Sequence, residues 1–395
     1  MLTPMDDTLW HTHPTTFDHV GTSDPRFFDR YWFAASDPKG GGTLQLTLGV
    51  YNNMNVVDAG FVAIRGTKQY NVRASRSLRP RFETAVGPFS VEILEPLRRA
   101  RLRLEKSGPD GVAAELEWIG DYPAQEEAAR FTRVRGRVVE ESRRFDQVGH
   151  CTGFLELAGE RVALDRWWAT RDHSWGVREM MGIPEPVTGP APAPSAGSFF
   201  AFLFFSTGSI GGHLQIAQFS GRPSYFTAEI AARGGAGEGG GAVGAGGAAM
   251  GRSGGADVLR AIHLTDAKPT LVFHDDRRPR RVATARFDAL TRDGREVVIE
   301  AKALCPAVDM QGLGYSGGYA DGKGLGIWRG DAHLETDTWD VSHPCEVVRE
   351  GGARVRPIHR IQPVSLTVRG AGLDGVGTGS LTLIAEGSLP QLGLE

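Results

Sequence analysis

The stretch RLRLEKSGPDGVAAELEWI, residues 101–119, decides the fold class of this chain. Apolar and polar residues alternate on both sides of Gly108-Pro109-Asp110-Gly111, as they do in two strands that each bury one face. Proline sets φ at the second position of a turn and glycine accepts a positive φ, so these four residues favour a turn. The stretch therefore predicts an antiparallel hairpin.

The same pattern recurs along the chain. Alternating runs separated by turn residues are found at 154–157 and 162–164, at 285–290 and 297–299, and at 364–368 and 380–384. Consecutive hairpins without helical crossovers are typical of antiparallel sandwiches and barrels, so we predict an all-β fold. Residues 92–105 also fit a helical period, and a helix there stays open as an alternative.

Length and charge exclude one class of function. A chain of 395 residues is long enough for two to three domains, each able to bury a core. The formal net charge is −3, and the arginines are spread along the whole length rather than gathered in one run. A nucleic-acid-binding protein normally carries a basic patch, so we expect no nucleic-acid partner.

Cysteine usage and hydropathy predict the compartment. Cys151, Cys305 and Cys345 are odd in number and far apart, which favours a reducing compartment over a disulfide framework. Residues 1–14 lack the pattern of a signal peptide, and the longest apolar stretch, 199–205, is too short to span a bilayer. We expect a cytoplasmic protein without stable membrane insertion, and the sequence does not indicate its oligomeric state.

Glycine-rich motifs and ligand spacing predict neither a cofactor nor a metal. Gly314–Gly318 matches G-x-S-x-G but lacks the strand before and the helix after that a nucleophile elbow needs. Gly322-x-Gly324-x-Gly326 does not have the spacing of a dinucleotide fingerprint. No set of Cys, His and carboxylate residues is clustered as in a zinc site.

Two segments interrupt the strand pattern. Residues 183–197 are rich in proline, and residues 234–255 are about half glycine. Both lack the apolar content needed to form a core, so we expect surface loops. For the first segment, a lid over a site is the alternative to a simple insertion.

The densest group of chemically active residues is DRWWATRDHSWGVR, residues 165–178. In a strand, period two places Arg171, His173 and Trp175 on one face and Asp172 and Ser174 on the other. The first face would present a cation, an imidazole and an aromatic donor within about 14 Å. Because buried Arg and His need partners, this face is either a site or a half-exposed sheet surface.

The motif RDHSWG, residues 171–176, resembles one found in carotenoid 1,2-hydratases (hydroxyneurosporene synthases) and the related AttH-type lipocalin-like proteins. Shorter fragments at 51–58, 147–149, 328–330 and 335–337 fit the same group. The resemblance implies two lipocalin-like antiparallel β-barrels packed together, with the halves at 1–145 and 146–395. It also implies a cofactor-free lyase, hydratase, isomerase or cyclase acting on a hydrophobic compound such as a terpenoid, a steroid or an aromatic.

The resemblance implies a site residue only where this sequence has the residue of the family motif. His and Trp of a His-x-Trp element are implicated in catalysis in the hydratases, and they correspond to His173 and Trp175. The family also has a Tyr-x-Asp pair on a following strand, but the corresponding residues here, 198–203, contain neither Tyr nor Asp. This departure puts alkene protonation by that Asp in doubt and leaves His173 as the obvious acid–base group near neutral pH.

We therefore expect a cofactor-independent lyase or isomerase in which His173 transfers a proton, Asp172 or Arg171 orients or charges the site, and Trp175 shapes it. Further expected substrate-binding residues are Tyr31, Tyr51, Asn53 and Asn55 in the first half, Phe200 and Phe202 in an aromatic wall, and Glu335 and Asp337 as supporting carboxylates. His173 and Trp175 should line the largest pocket near the junction of the halves. A non-catalytic carrier of hydrophobic ligands using the same pocket is the alternative.

Overall fold

A computed structural model describes residues 2–9, 11–184, 197–219, 222, 224–233 and 259–393. Those residues form β-strands and five short 3-10 helices, with no α-helix among them, so the predicted all-β fold is confirmed. None of the helices described is long and apolar enough to cross a bilayer. The predicted loop at 234–255, and all but the ends of the one at 183–197, lie outside the described residues.

The first half of the chain forms most of one large antiparallel sheet. Its 3-10 helices are Pro4–Asp7 and Asn52–Met54, and its strands are β1 (Phe27–Ser36), β2 (Thr43–Tyr51), β3 (Val56–Arg65), β4 (Lys68–Ser77), β5 (Ala85–Val86), β6 (Phe89–Glu95), β7 (Arg99–Ser107), β8 (Val112–Gly120), β9 (Gln125–Glu126), β10 (Arg130–Val134), β11 (Arg137–Leu157) and β12 (Glu160–Arg178). Strand β12 pairs with both β1 and β11, so it lies in the middle of this sheet.

Residues 101–119 form the predicted hairpin. Strands β7 and β8 pair antiparallel, and both Gly108 and Gly111 in the turn have a positive φ, at +69° and +59°. The alternative helix at 92–105 is wrong, because these residues form the end of β6 and most of β7. Cross-strand burial of alternate residues outweighed the local helical period there.

The following strands build a second sheet. They are β13 (Gly197–Thr207), β14 (Ile210–Phe219), β15 (Tyr225–Arg233), β16 (Leu259–Phe273), β17 (Val282–Thr291), β18 (Glu296–Ala303) and β19 (Val308–Asp309), followed by a 3-10 helix at Met310–Leu313.

The C-terminal part of the chain contributes to both sheets. It contains β20 (His333–Asp340), β21 (Val347–Val348), a 3-10 helix at Glu350–Gly352, β22 (Arg354–Val355), β23 (Arg360–Arg369), β24 (Gly375–Gly387) and a last 3-10 helix at Pro390–Leu392. Strands β20 to β22 extend the edge of the first sheet beyond β4. Strands β23 and β24 complete the second sheet, and pairing of β18 with β23 closes it into an eight-stranded barrel.

Each sheet encloses an apolar core, and a third cluster lies between them. Phe33, Phe61 and Trp118 belong to the core of the first sheet, and Phe199, Phe205, Phe287 and Ile299 to that of the closed barrel. Trp32 and Trp168 of the first sheet pack with Phe202 and Phe204 of β13 in the third cluster. We call the side of the first sheet that carries Trp32 and Trp168 the junction face.

The expected division of the chain at residue 146 stays a prediction. In the structure this position lies inside β11, and both β11 and β12 belong to the first sheet. The second sheet begins at Gly197, and β20 to β22 return to the first sheet from the C-terminal part.

Candidate functional site

The alternation predicted for residues 171–176 is correct, but the predicted direction of its two faces is not. Arg171 and His173 share one face of β12, as predicted, and this face lies towards the core of the first sheet, because Arg171 stacks on Trp118. Asp172 and Ser174 lie on the junction face. The expectation that His173 and Trp175 point to the junction is therefore wrong, because the opposite face of β12 packs towards the closed barrel.

His173 lies in an aromatic setting at the end of the first core. Its ring centroid is 4.6 Å from that of Tyr31, 5.3 Å from Phe145 and 5.2 Å from Trp175. His173 Nε2 is 2.7 Å from Asp29 Oδ1, and its side chain is 22% exposed. The supporting carboxylate is thus Asp29 on the neighbouring strand β1. The catalytic role of His173 stays a prediction.

Arg171 is buried, and it has no carboxylate partner among the residues that the structure describes. Its Nε and Nη2 donate to Gln147 Oε1 at 3.1 and 2.9 Å, and its guanidinium lies 4.6 Å from the Trp118 ring and 5.1 Å from Phe145. Burial lowers the pKa of Arg171 to about 10. These contacts fit a residue that holds the sheet interior together.

The junction face carries a denser polar group. Residues directly opposite on antiparallel strands share a face, so the register of β1, β12 and β11 places three side chains in each row. Going along the strands, the rows are Phe28–Gly176–Ser142, Arg30–Ser174–Arg144, Trp32–Asp172–Asp146 and Ala34–Thr170–Val148. Charged residues thus occupy the two middle rows, with an apolar row at one end.

Asp146 is a deeply buried carboxyl group of this face. It is 1% exposed, neither carboxyl oxygen accepts a hydrogen bond from a donor in the described part of the chain, and the carboxyl group hydrogen-bonds the neighbouring Glu127 side chain. Its Oδ2 is 3.7 Å from Nδ1 of His213, which is also 1% exposed and belongs to β14 of the closed barrel. The pair therefore bridges the two sheets.

A second carboxylate beside Asp146 is ionised. Glu127 Oε1 accepts from Arg144 Nη1 at 3.2 Å, and Glu127 Oε2 accepts from the Tyr225 hydroxyl at 3.2 Å. Arg130 Nε lies 3.9 Å from the same Oε2. Burial alone would raise the pKa of Glu127, but the two arginines outweigh it and lower that pKa to about 2.

The surroundings shift the pKa values of Asp146 and His213 in opposite directions. Burial, followed by the negative charge of Glu127, raises the pKa of Asp146 well above its ordinary value. Burial lowers the pKa of His213 to about 4. At neutral pH the site therefore holds a neutral imidazole and an Arg144–Glu127 ion pair, beside a carboxyl group that binds its proton more tightly than a solvated aspartate does. Pushing the pKa values of neighbouring groups apart in this way is typical of acid–base sites.

Asp172 extends the group towards β1. Its Oδ2 is 3.9 Å from Arg144 Nε. Burial raises its pKa, while the positive charges of Arg144, Arg30 and Arg178 act in the opposite direction. Asp172 thus lies on the same face as Arg144 and Asp146, whereas His173 lies on the other. The catalytic role of Asp172 stays a prediction.

An aromatic wall from the closed barrel covers this face. Strand β13 alternates, so that Phe199 and Phe205 enter the barrel core while Phe202 and Phe204 point to the junction. The Phe202 ring lies 5.3 Å from the Arg144 guanidinium, and its centroid is 4.2 Å from that of Phe204. Phe200 packs against the same junction cluster.

The other residues singled out in the first half separate into two places. Tyr31 packs on His173, whereas Tyr51 is fully buried on the junction face, near Arg30. Asn53 Nδ2 donates to the carbonyl oxygens of Thr22 and Asp24, and Asn55 Oδ1 accepts from the backbone of Arg79. Both asparagines therefore anchor loops.

Glu335 and Asp337 lie on β20, paired with β4. Asp337 Oδ2 accepts from Arg73 Nη2 at 2.5 Å, and Glu335 Oε2 is 3.4 Å from Arg73 Nε. They bind a buried arginine and not His173, so the expectation that they support that histidine is wrong.

A narrow cleft reaches the polar group from the surface. It is lined by Phe28, Glu127, Ala128, Arg130, Ser142, Arg143, Arg144, Ser174 and Arg178, and in this conformation it is too narrow to hold a water molecule. Two open grooves, of about 480 and 400 Å³, lie elsewhere, near Asn53 and near His333. His173 lines neither of them.

Sequence reasoning missed Glu127, Asp146 and His213. The one signal was EESRRFD, residues 140–146, a stretch rich in charged residues that includes Asp146. Pairing of Asp146 with His213 requires the two sheets to meet, and no local pattern encodes that contact. Among the described residues, no group of three or more His, Cys, Asp or Glu side chains could hold a metal ion.

Comparison with solved structures shows which known folds this chain resembles. A crystal structure of a candidate AttH from Nitrosomonas europaea aligns with a TM-score of 0.50 and 12% identity over 90% of this chain and 92% of that one. The structures of CghA with Sch210972 (TM-score 0.49, 9% identity, 91% and 88% covered) and of kievitone hydratase from Nectria haematococca (TM-score 0.44, 10% identity, 93% of each chain) are more distant. The first supports a shared AttH-type fold, and the resemblance to carotenoid 1,2-hydratases stays a prediction.

Sequence comparison gives one result. A family model described as a family of unknown function (DUF8625) matches residues 2–213, which is more than half of the chain. No curated protein is detectably similar in sequence.

Proposed function

We propose that this chain, which belongs to the family of unknown function DUF8625, is an enzyme that catalyses proton-transfer chemistry on a hydrophobic small molecule by means of its own side chains. Hydration, cyclisation and double-bond shift are the reactions of this kind. One observation carries the proposal. Asp146 is a buried carboxyl group that accepts no hydrogen bond from a donor within the described residues, and it lies 3.7 Å from the neutral His213 imidazole and within hydrogen-bonding reach of Glu127.

The chemistry follows from the two protonation states. A protonated Asp146 donates its proton to one carbon of a double bond, leaving a carboxylate and a cationic substrate. His213 Nδ1 then accepts a proton, either from an adjacent carbon, which shifts the double bond, or from a water that adds to the cation. The groups suit these roles because burial has raised the pKa of the acid and lowered that of the base.

The surroundings support a hydrophobic substrate. Phe202 and Phe204 present ring faces to the junction, together with Trp32, whose ring centroid is 5.7 Å from that of Phe204. Aromatic faces are attractive to cations and exclude water, so they would stabilise a transient cationic substrate. Because the cleft is closed in this conformation, binding requires side chains at its rim, such as Arg130 and Arg178, to move.

The experiment uses solvent deuterium as its readout, so that it does not depend on knowing the product. Purified protein is incubated in D2O with a panel of terpenoid, steroid and aromatic alkenes, and incorporation of deuterium is followed by mass spectrometry. We expect turnover of at least one compound, and a reduction of about 10²- to 10⁴-fold on Asp146→Asn, the range typical of losing a general acid.

Matched variants distinguish this proposal from the His173 site predicted from the sequence and from a non-catalytic carrier. His213→Gln should reduce the rate as Asp146→Asn does, whereas His173→Gln tests the site predicted from the sequence. Undiminished turnover in Asp146→Asn would refute the assignment. Binding of the panel compounds without deuterium incorporation by the unmodified protein would favour the carrier.

A further inference from the structure

We propose that the junction face also contains an anion subsite, formed by Arg30, Tyr51 and Arg178, which binds an acidic oxygen of the substrate, such as a carboxylate, enolate or phenolate. This inference rests on the proposed function, because it names the substrate class of the same site.

Arg30 carries donors that the protein leaves unused. It is 4% exposed, and its Nε and Nη2 have no hydrogen-bond partner within the described residues. Its guanidinium lies 4.4 Å from the ring centroid of Tyr315 and also interacts with the hydroxyl of that residue, which leaves Nε and Nη2 without a partner among the described residues. Burial of a charged group without hydrogen bonds is costly, so a partner is expected.

Tyr51 contributes a further unpaired group at the same place. It is fully buried, and its hydroxyl has no partner within the described part of the chain. A Cβ atom built on Gly49 would lie 2.9 Å from Tyr51 Oη and 3.1 Å from both Cγ and Cδ of Arg30. The Tyr51 hydroxyl and the aliphatic part of the Arg30 side chain therefore lie next to each other above Gly49, the one glycine of β2.

The charge balance of this face leaves room for an anion. Arg30, Arg144 and Arg178 act on one another and on Asp172, while Glu127 binds Arg144, Glu140 lies opposite Arg178 and Asp58 lies in the row of Arg30. Within the described residues, none of these carboxylates hydrogen-bonds Nε or Nη2 of Arg30. Arg178 forms no ion pair among the described residues, and its guanidinium lies 4.8 Å from the Phe28 ring, at the lining of the cleft. Asp172 offsets part of this charge, but its own raised pKa weakens it as a counterion.

The subsite lies at a useful distance from the proton donor. Arg30 and Asp146 occupy neighbouring rows on strands two apart, which separates their Cα atoms by about 12 Å. An acidic oxygen held at Arg30 would thus place the apolar part of a small molecule between Asp146 and the Phe202 wall. Binding energy at a remote group can in this way position the reacting carbon.

The test compares two probes of nearly equal shape. Anilinonaphthalene-8-sulfonate carries an anionic group, whereas N-phenyl-1-naphthylamine lacks it, and the fluorescence of both reports binding. For the unmodified protein we expect the anionic probe to bind about 10- to 100-fold more tightly, as is typical of charge-assisted hydrogen bonds. Arg30→Met should abolish this ratio and leave the affinity for the neutral probe unchanged.

Two further variants make the result decisive. Tyr51→Phe keeps the buried ring and removes only the hydroxyl, and it should lower the affinity for the anionic probe while the thermal unfolding midpoint stays the same. Arg103→Met, at an exposed arginine of β7 paired with Glu115, is the control and should change neither affinity. A ratio of affinities that persists in Arg30→Met, or that falls equally in Arg103→Met, would overturn the subsite.

The outcomes also distinguish the two proposals. If Asp146→Asn stops deuterium incorporation but the two probes bind alike, the anion subsite is refuted and the proposed function stands. If the ratio of affinities depends on Arg30 while Asp146→Asn retains turnover, the subsite stands and the proton-transfer assignment fails.

Discussion

Asp146 and Asp172 lie directly opposite each other on β11 and β12, with both side chains on the junction face of the first sheet. Like charges opposite one another in a sheet are destabilising, and in both residues burial raises the pKa. Arg144, between them and Glu127, determines the division of charge. It holds Glu127 ionised and lies 3.9 Å from Asp172, while burial and the charge of Glu127 raise the pKa of Asp146.

This relationship predicts a bell-shaped dependence of kcat/KM on pH. Activity requires neutral His213 and protonated Asp146, so it should rise through the His213 pKa of about 4 and fall at higher pH as Asp146 ionises. Deuterium incorporation measured from pH 3 to 9 checks this, with circular dichroism at each pH to confirm folding. An acidic limb near 6.5 would instead indicate a solvated histidine.

Asp58 should make the fold less stable as pH rises. Burial raises its pKa from 3.8 to about 6, so the folded state binds this proton more tightly than the unfolded state. The resulting stability is complete below pH 3.8 and is lost as pH rises through about 6, a loss of about 3 kcal/mol. Asp58→Asn should abolish this loss.

Urea unfolding at pH 4, 5.5 and 7 measures the effect. The free energy of unfolding of Asp58→Asn, relative to the unmodified protein, should increase by about 3 kcal/mol between pH 4 and pH 7. Asp276→Asn, at an exposed aspartate, is the control and should show no such trend. Parallel pH profiles for the unmodified protein and Asp58→Asn would contradict the argument.

Arg171 and Gln147 should be strongly coupled in stability. Gln147→Leu removes the acceptor of both Arg171 hydrogen bonds and leaves a buried, unpaired guanidinium, at a cost of about 3–5 kcal/mol. The double variant Arg171→Met/Gln147→Leu removes that charge as well, so it should be more stable than Gln147→Leu alone. Denaturant unfolding of the two single variants and the double variant measures the coupling, and additive effects would refute it.

The closed barrel should depend on its aromatic core. Phe205 is fully buried there, and Phe205→Ala should lower the free energy of unfolding by about 3–5 kcal/mol through the cavity it leaves. Val376→Ala, at a residue 75% exposed on β24 of the same barrel, should change it by less than about 0.5 kcal/mol. Similar losses in thermal unfolding for both variants would mean that Phe205 is not part of a packed core.

Much of the fold could be predicted because its signals are local. Alternation on both sides of Gly108-Pro109-Asp110-Gly111 specifies a hairpin, since a turn and two half-buried strands need only neighbouring residues. The same holds for residues 285–299, which form β17 and β18. Pairing of β20 with β4 joins residues more than 250 positions apart, and no local pattern announces it.

The candidate site shows the same division. By itself the sequence determined that Arg171, His173 and Trp175 share one face of a strand and Asp172 the other, because the side-chain period of a strand is two. Only the tertiary structure decided which of these two faces turns to the junction, because Phe202 and Phe204 of the closed barrel pack against one of them. Tertiary contact also brought His213 to Asp146, and the burial that it produced raised one pKa and lowered the other, since the free energy of a charge depends on everything around it.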